Sequence, residues 1–149
     1  MKISTQILGE RLLGIANRLI FLEKKTIHQH GGLKLHPSEI HLMQVIAQDP
    51  GLNAGQMAKA LGVTTGAVSQ TLSRLEKKGA IVKFKDHGNK NELSARFTET
   101  GKEALKSFYL ARGEESMKFA EYLESLTDAD REKIAGFLAR WDEFLKNLG

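Results

Sequence analysis

Between Asn53 and Thr98 the apolar residues change period, and that change constrains the fold more than any other feature of the chain. Two short helical patterns come first, joined by Gly62-Val63-Thr64. Asn53 and Gln56 have capping-box spacing and open a helix over 54–61 with Met57, Ala58 and Leu61 inward. Gly62 is placed to end that helix. Thr64 can cap a second one that runs to about Lys78, stops at Gly79, and turns Val68, Leu72 and Leu75 inward. The spacing then becomes two. Ala80, Val82 and Phe84 alternate with Ile81, Lys83 and Lys85, and Leu93, Ala95 and Phe97 alternate with Ser94 and Arg96. The polar stretch 86–91 lies between them, which predicts a hairpin with a long, partly basic tip and with Phe84 and Phe97 facing inward. Two helices on a tight turn followed by a hairpin form a winged helix-turn-helix.

Long helices flank this block. Leu8, Leu12, Ile15, Leu19 and Leu22 recur at steps of three and four, predicting a helix from Ile3 to about Ile27, on the order of 37 Å long. Ile7, Leu13, Ala16 and Ile20 widen its apolar stripe beyond what one partner needs. His30-Gly31-Gly32 predicts a turn, and Pro37 the first turn of a helix with Ile40, Met43, Ile46 and Ala47 buried. Thr100 with Glu103 predicts a helix reaching about Leu123. Thr127-Asp128-Ala129-Asp130 caps a last helix whose large apolar residues follow a near-heptad pattern from Ile134 to Leu148. The fold class is therefore mainly α with a small β-hairpin wing: a winged helix-turn-helix plus N- and C-terminal helices suited to dimerisation.

Charge concentrates in the same block. Residues 53–98 hold eight Lys or Arg against three acids, a surplus of five, whereas the rest of the 149-residue chain holds 14 against 15. A phosphate-binding surface has this distribution, and so does a solvated face. There is no cysteine, which excludes disulfides, thiol catalysis and cysteine redox sensing. The apolar stretch from Ile3 to Leu22 is interrupted by Glu10, Arg11 and Arg18, so it reads neither as a signal-peptide core nor as a membrane span, and a cytoplasmic location is expected.

On the second helix the residues that do not face the core are Thr65, Gly66, Ser69, Gln70 and Ser73, all small or polar. A helix that enters the major groove by its N-terminal end needs such a face. Gly66 allows close backbone approach, Gln70 can pair with an adenine edge, and Ser69 can read a donor or an acceptor. Arg74 and Lys77 suit phosphates, and Lys90 on the hairpin tip suits a flanking minor groove. Thr64, Thr65, Gly66, Ser69, Gln70, Ser73, Arg74, Lys77, Lys90 and Asn91 are the candidate DNA-binding residues.

The run from Met57 to Ser69 resembles the MarR family of winged-helix regulators, as do Arg74-Leu75-Glu76-Lys77-Lys78-Gly79-Ala80-Ile81 and Phe97-Thr98-Glu99-Thr100-Gly101. The resemblance covers nearly the whole chain. It implies a single MarR-like domain over 1–149. Within it, 1–30 and 100–149 would form a helical dimerisation region and 35–99 the DNA-binding region. It also implies a homodimer with interlocking terminal helices that sets one recognition helix into each half of a pseudo-palindromic duplex site, the half-sites ~34–36 Å apart. The family's wing usually carries Asp-Arg-Arg where this chain has Asn89-Lys90-Asn91. Its stiffening ion pair therefore cannot form, which predicts a looser wing and weaker minor-groove readout.

The resemblance also implies a small aromatic effector, with Phe21, Met43, Phe108, Tyr109 and Trp141 as candidate lining. His28, His30, His36, His41 and His87 match no metal-ligand spacing, and Glu23 or Glu39 would have to join them to complete a site, so neither a metal site nor a cofactor is expected. No catalytic constellation is present, and no enzyme is expected. With the strand phenylalanines inward, RNA has no stacking platform. The function expected is sequence-specific double-stranded DNA binding in transcriptional regulation, as a repressor that a small-molecule effector could relieve. The alternative is a winged-helix module for protein interaction or sequence-neutral DNA binding.

Overall fold

The computed structural model describes residues 3–85 and 92–148. Its elements run α1 (Thr5–Lys25), β1 (His28–His30), β2 (Leu33–Leu35), α2 (Pro37–Gln48), α3 (Ala54–Leu61), α4 (Thr65–Lys77), β3 (Ile81–Lys85), β4 (Leu93–Phe97), α5 (Glu99–Ala111), α6 (Gly113–Ser125) and α7 (Asp128–Leu148). The chain divides into two compact units, one ending at Leu105 and the other beginning at Lys106, a boundary within α5.

The first unit holds the packed core. Leu42, Met43 and Ile46 of α2, Met57 of α3, and Leu72 and Leu75 of α4 are all essentially inaccessible. Full burial of each such side chain contributes about 1.5–3 kcal/mol relative to exposure. Ala47 is exposed and Leu42 takes its place in the buried stripe of α2, so the face is rotated by part of a turn from the expected one. Asn53 accepts from the Gln56 N–H at 2.9 Å and the Gln56 side chain accepts from the Asn53 N–H at 2.9 Å, which closes the capping box of α3. Gly62 ends α3 at φ 66°, a left-handed conformation that costs glycine nothing. The Thr64 hydroxyl accepts from the Ala67 N–H at 3.2 Å and starts α4.

The expected turn at His30-Gly31-Gly32 is the tip of a short antiparallel hairpin, with His30 opposite Leu33 and Gly31 at φ 57°. Its three-residue strands are too short for an alternation to register in sequence. The wing strands pair antiparallel, Ile81 opposite Phe97 and Lys85 opposite Leu93. Their phase corrects the expected one on β3: Ile81 is buried and Lys83 half-buried, while Val82 and Phe84 are each 40% exposed. Ala80 is buried as a turn residue, its N–H donating to the Leu75 carbonyl, so an alternation counted from Ala80 starts one residue early. Asn53 forms an isolated bridge with Ser94, which ties the start of α3 to β4.

Thr98, not Thr100, opens α5, since its hydroxyl accepts from the Gly101 N–H at 3.1 Å and donates to the Gly79 carbonyl at 2.5 Å. Its N–H donates to the Ala80 carbonyl at 3.1 Å. A Cβ on Gly101 would lie 1.9 Å from that carbonyl oxygen, so glycine is required where α5 crosses the turn after α4. The single helix expected to reach Leu123 is two, broken at Arg112, whose ψ of 3° leaves the helical range ahead of Gly113. The apolar period continues across the break and so conceals it.

α1, α6 and α7 have no buried residue among those described. Ile15, Leu19, Phe21 and Leu22 of α1 are each at least half exposed, as are Met117, Phe119, Phe137 and Leu138 of the second unit. Among the described residues no helix is long and apolar enough to cross a membrane.

Candidate nucleic-acid interface

The core side of α4 is fixed by Val68, Thr71, Leu72 and Leu75, and the opposite side is left to solvent. On that side Thr64, Thr65, Gly66, Gln70, Ser73, Arg74 and Lys77 are exposed and Ser69 is half-buried. Lys90 and Asn91 lie outside the described residues. The structure thus sets eight of the ten candidate residues along one helix, beginning at its N-terminal turn, where unpaired amides and the helix dipole favour an anion.

Gly66 is informative. The nearest atom to an added Cβ would be the hydroxyl oxygen of nearby Thr64 at 4.0 Å, so nothing among the described residues requires a glycine there. Glycine in a helix costs up to about 1 kcal/mol relative to alanine. A tolerated cost with no internal cause is what close approach of an external surface would produce.

Arg74 is tethered: it donates to the Thr71 hydroxyl at 2.8 Å, and its Nε stands 3.7 Å from the Glu39 carboxylate. Glu39 is completely buried. Its Oε2 accepts from the His36 N–H at 2.8 Å and from Lys78 Nζ at 2.7 Å. Lys78 also donates to the Lys34 carbonyl at 2.6 Å, so one carboxylate joins the cap of α2, the end of α4 and the first hairpin. Sequence reading missed this centre, although Glu39 three residues after the His36 cap is itself a capping-box signal.

Two residues outside the candidate set reach the exposed side of α4. The Lys83 N–H donates to Glu76 Oε1 at 3.0 Å, and its ammonium pairs with Glu76 Oε2 at 3.0 Å and donates to the Ser73 hydroxyl at 3.1 Å. The backbone hydrogen bond from Lys83, followed by that of its ammonium, holds the Glu76 carboxyl below its ordinary value of 4.5. The Ser73 hydroxyl donates to the Ser69 carbonyl at 3.0 Å, so its one proton is committed within the helix.

Other candidate sites fare differently. Among the described residues no three His, Cys, Asp or Glu side chains converge as metal ligands. His41 pairs with Glu23 at 3.2 Å. Met43, a candidate for lining an effector cleft, is completely buried in the core of the first unit. Phe84 projects from the wing, opposite to the expected inward placement, so the strand does expose one ring. A single exposed ring is still short of the multi-base platform that RNA-binding sheets use.

Residues 35–93 match the family model described as the MarR family. Over that stretch the chain resembles the MarR family. A curated relative from Thauera aromatica, described as a candidate transcriptional regulatory protein for the hcr operon, is 29% identical over 104 residues. The matched region is 70% of this chain and 61% of that relative, so this chain spans less than two thirds of its length. Among solved structures, Streptococcus pneumoniae FabT in complex with DNA has a TM-score of 0.72 at 21% identity, covering 98% of this chain and 100% of that one. The adhesin competence repressor AdcR of Streptococcus pyogenes has a TM-score of 0.70 at 21% identity, covering 93% and 98%. At these identities the two likenesses establish the shared fold.

Proposed function

We propose that this chain is a MarR-family regulator of transcription, a homodimer that binds a pseudo-palindromic DNA duplex and acts as a repressor. The observation that carries the reading is the exposed side of α4: small and polar from its N-terminal turn onward, holding a glycine the chain does not need, within the part of the sequence that carries the basic surplus. Thr64, Thr65, Gly66, Ser69 and Gln70 would meet the major groove, Arg74 and Lys77 its phosphates, and Lys90 and Asn91 the flanking groove. FabT, of the same fold, has been captured with DNA, and AdcR is a repressor, which supports carrying both properties to this chain. A second copy would cover the exposed apolar faces of α1, α6 and α7. The chain would be a binding protein of the cytoplasm, with no catalytic role. A small aromatic effector would release DNA by preferring a dimer with another spacing between recognition helices.

Selection from a random duplex pool, followed by a salt titration, tests the reading. An enriched inverted repeat is expected. A steep salt slope without enrichment would demote the chain to sequence-neutral binding. No binding at low salt would favour a protein-interaction module.

A further inference from the structure

We propose that Glu76, Lys83 and Ser73 form a clamp that sets the angle of the wing against the recognition helix, which makes Lys83 a positioning residue for DNA specificity. This rests on the proposed DNA-binding function. The two edges of the wing are held differently. The β4 edge is held by the bridge from Ser94 to Asn53. The β3 edge faces away from β4, and Lys83 sits midway along it, opposite Ala95. An open edge would leave the Lys83 N–H to solvent. Here one carboxylate takes both donors of one residue, the N–H on Oε1 and the ammonium on Oε2, each at 3.0 Å. Two bonds from one residue fix rotation as well as distance, which a single ion pair cannot do.

The clamp changes two roles. Ser73, whose proton goes to the Ser69 carbonyl and whose oxygen accepts from Lys83, belongs to the joint between helix and wing and no longer to the base-reading set. Lys83 is neutralised by Glu76 and is not a free phosphate-binding cation. The clamp also supplies, at the base of the wing, a constraint that the missing Asp-Arg pair cannot supply at its tip.

The test uses the full chain with Glu76→Ala, Glu76→Gln and Lys83→Met. Without DNA, amide exchange at Lys83 is expected to accelerate about tenfold in Glu76→Ala and to stay near the original rate in Glu76→Gln, which keeps an acceptor. With DNA, the affinity ratio between the duplex selected by the unmodified chain and a random duplex is expected to fall about five- to tenfold in Glu76→Ala and to recover in Glu76→Gln. The salt slope of Lys83→Met is expected to equal that of the original chain. The clamp is overturned if Lys83 exchange ignores Glu76→Ala. Its role in specificity is overturned if exchange accelerates while the affinity ratio holds. A salt slope reduced by about one in Lys83→Met would make Lys83 a phosphate contact instead. A chain that selects no duplex overturns the regulator reading and the specificity role together, while exchange at Lys83 still judges the clamp itself.

Discussion

The winged helix and the outer helices solve the burial problem in opposite ways. From Leu35 to Leu105 the chain closes a core of its own, with Leu42, Met43, Met57, Leu72 and Leu75 at or below 1% exposure. α1, α6 and α7 carry apolar residues just as large, yet bury none of them. One region is complete as a single chain. The outer helices leave apolar faces exposed, which under the proposed function a second copy would cover. Under the proposed function the difference would separate the tasks: the self-sufficient region would present α4 to DNA, and the outer helices would hold two copies together.

Mutations can break this comparison from either side. Leu72→Ala in the finished core is expected to cost about 2–5 kcal/mol in chemical denaturation, at every protein concentration. Phe137→Glu in the unfinished region is expected to leave the winged helix folded by circular dichroism while dissociating the assembly in sedimentation. Equal loss of folding in both variants would erase the distinction. Gly101→Ala, which drives a methyl into the Ala80 carbonyl, is expected to cost about 1–3 kcal/mol or more by thermal melting, with Thr100→Ala nearly neutral because Thr98 is the cap.

Gly66→Ala sharpens the comparison through opposed signs. With space around the site, stability is expected to rise by about 0.5–1 kcal/mol while DNA affinity falls, seen by melting and by fluorescence anisotropy. A variant that gains both would remove the argument for close approach. The smallest effect is acid dependence at the clamp. The Glu76 carboxyl is held below 4.5 in the folded chain by the Lys83 N–H and ammonium. Its contribution is therefore present above the ordinary carboxylate value and is lost as pH falls through the lowered folded value. Lys83 amide protection is expected to survive at pH 5 and to drop in stronger acid, a step absent from Glu76→Gln.

Local signals carried the helix-turn-helix into view. Asn53, Gly62 and Thr64 act through neighbours within four residues, so their chemistry is visible in sequence order. What sequence concealed depends on distant partners. Ala80 is buried by its place in a turn, and counting from it inverted the face of β3. Thr98 looks unremarkable until its hydroxyl is seen bridging the Gly79 carbonyl and the Gly101 N–H. Glu39 and Lys78 are 39 positions apart, and Glu76 reaches Lys83 across a turn. Of the candidate DNA-binding residues, those on α4 follow from helical periodicity. Ser73 does not separate from them until Lys83 is placed.

The most direct test of the central claim is the mass of the unmodified chain by sedimentation equilibrium over a wide dilution series. A species of twice 16.6 kDa that persists to high dilution is the predicted result, since under the proposed function a second copy covers the exposed faces of α1, α6 and α7. A stable, well-folded monomer of 16.6 kDa would contradict it.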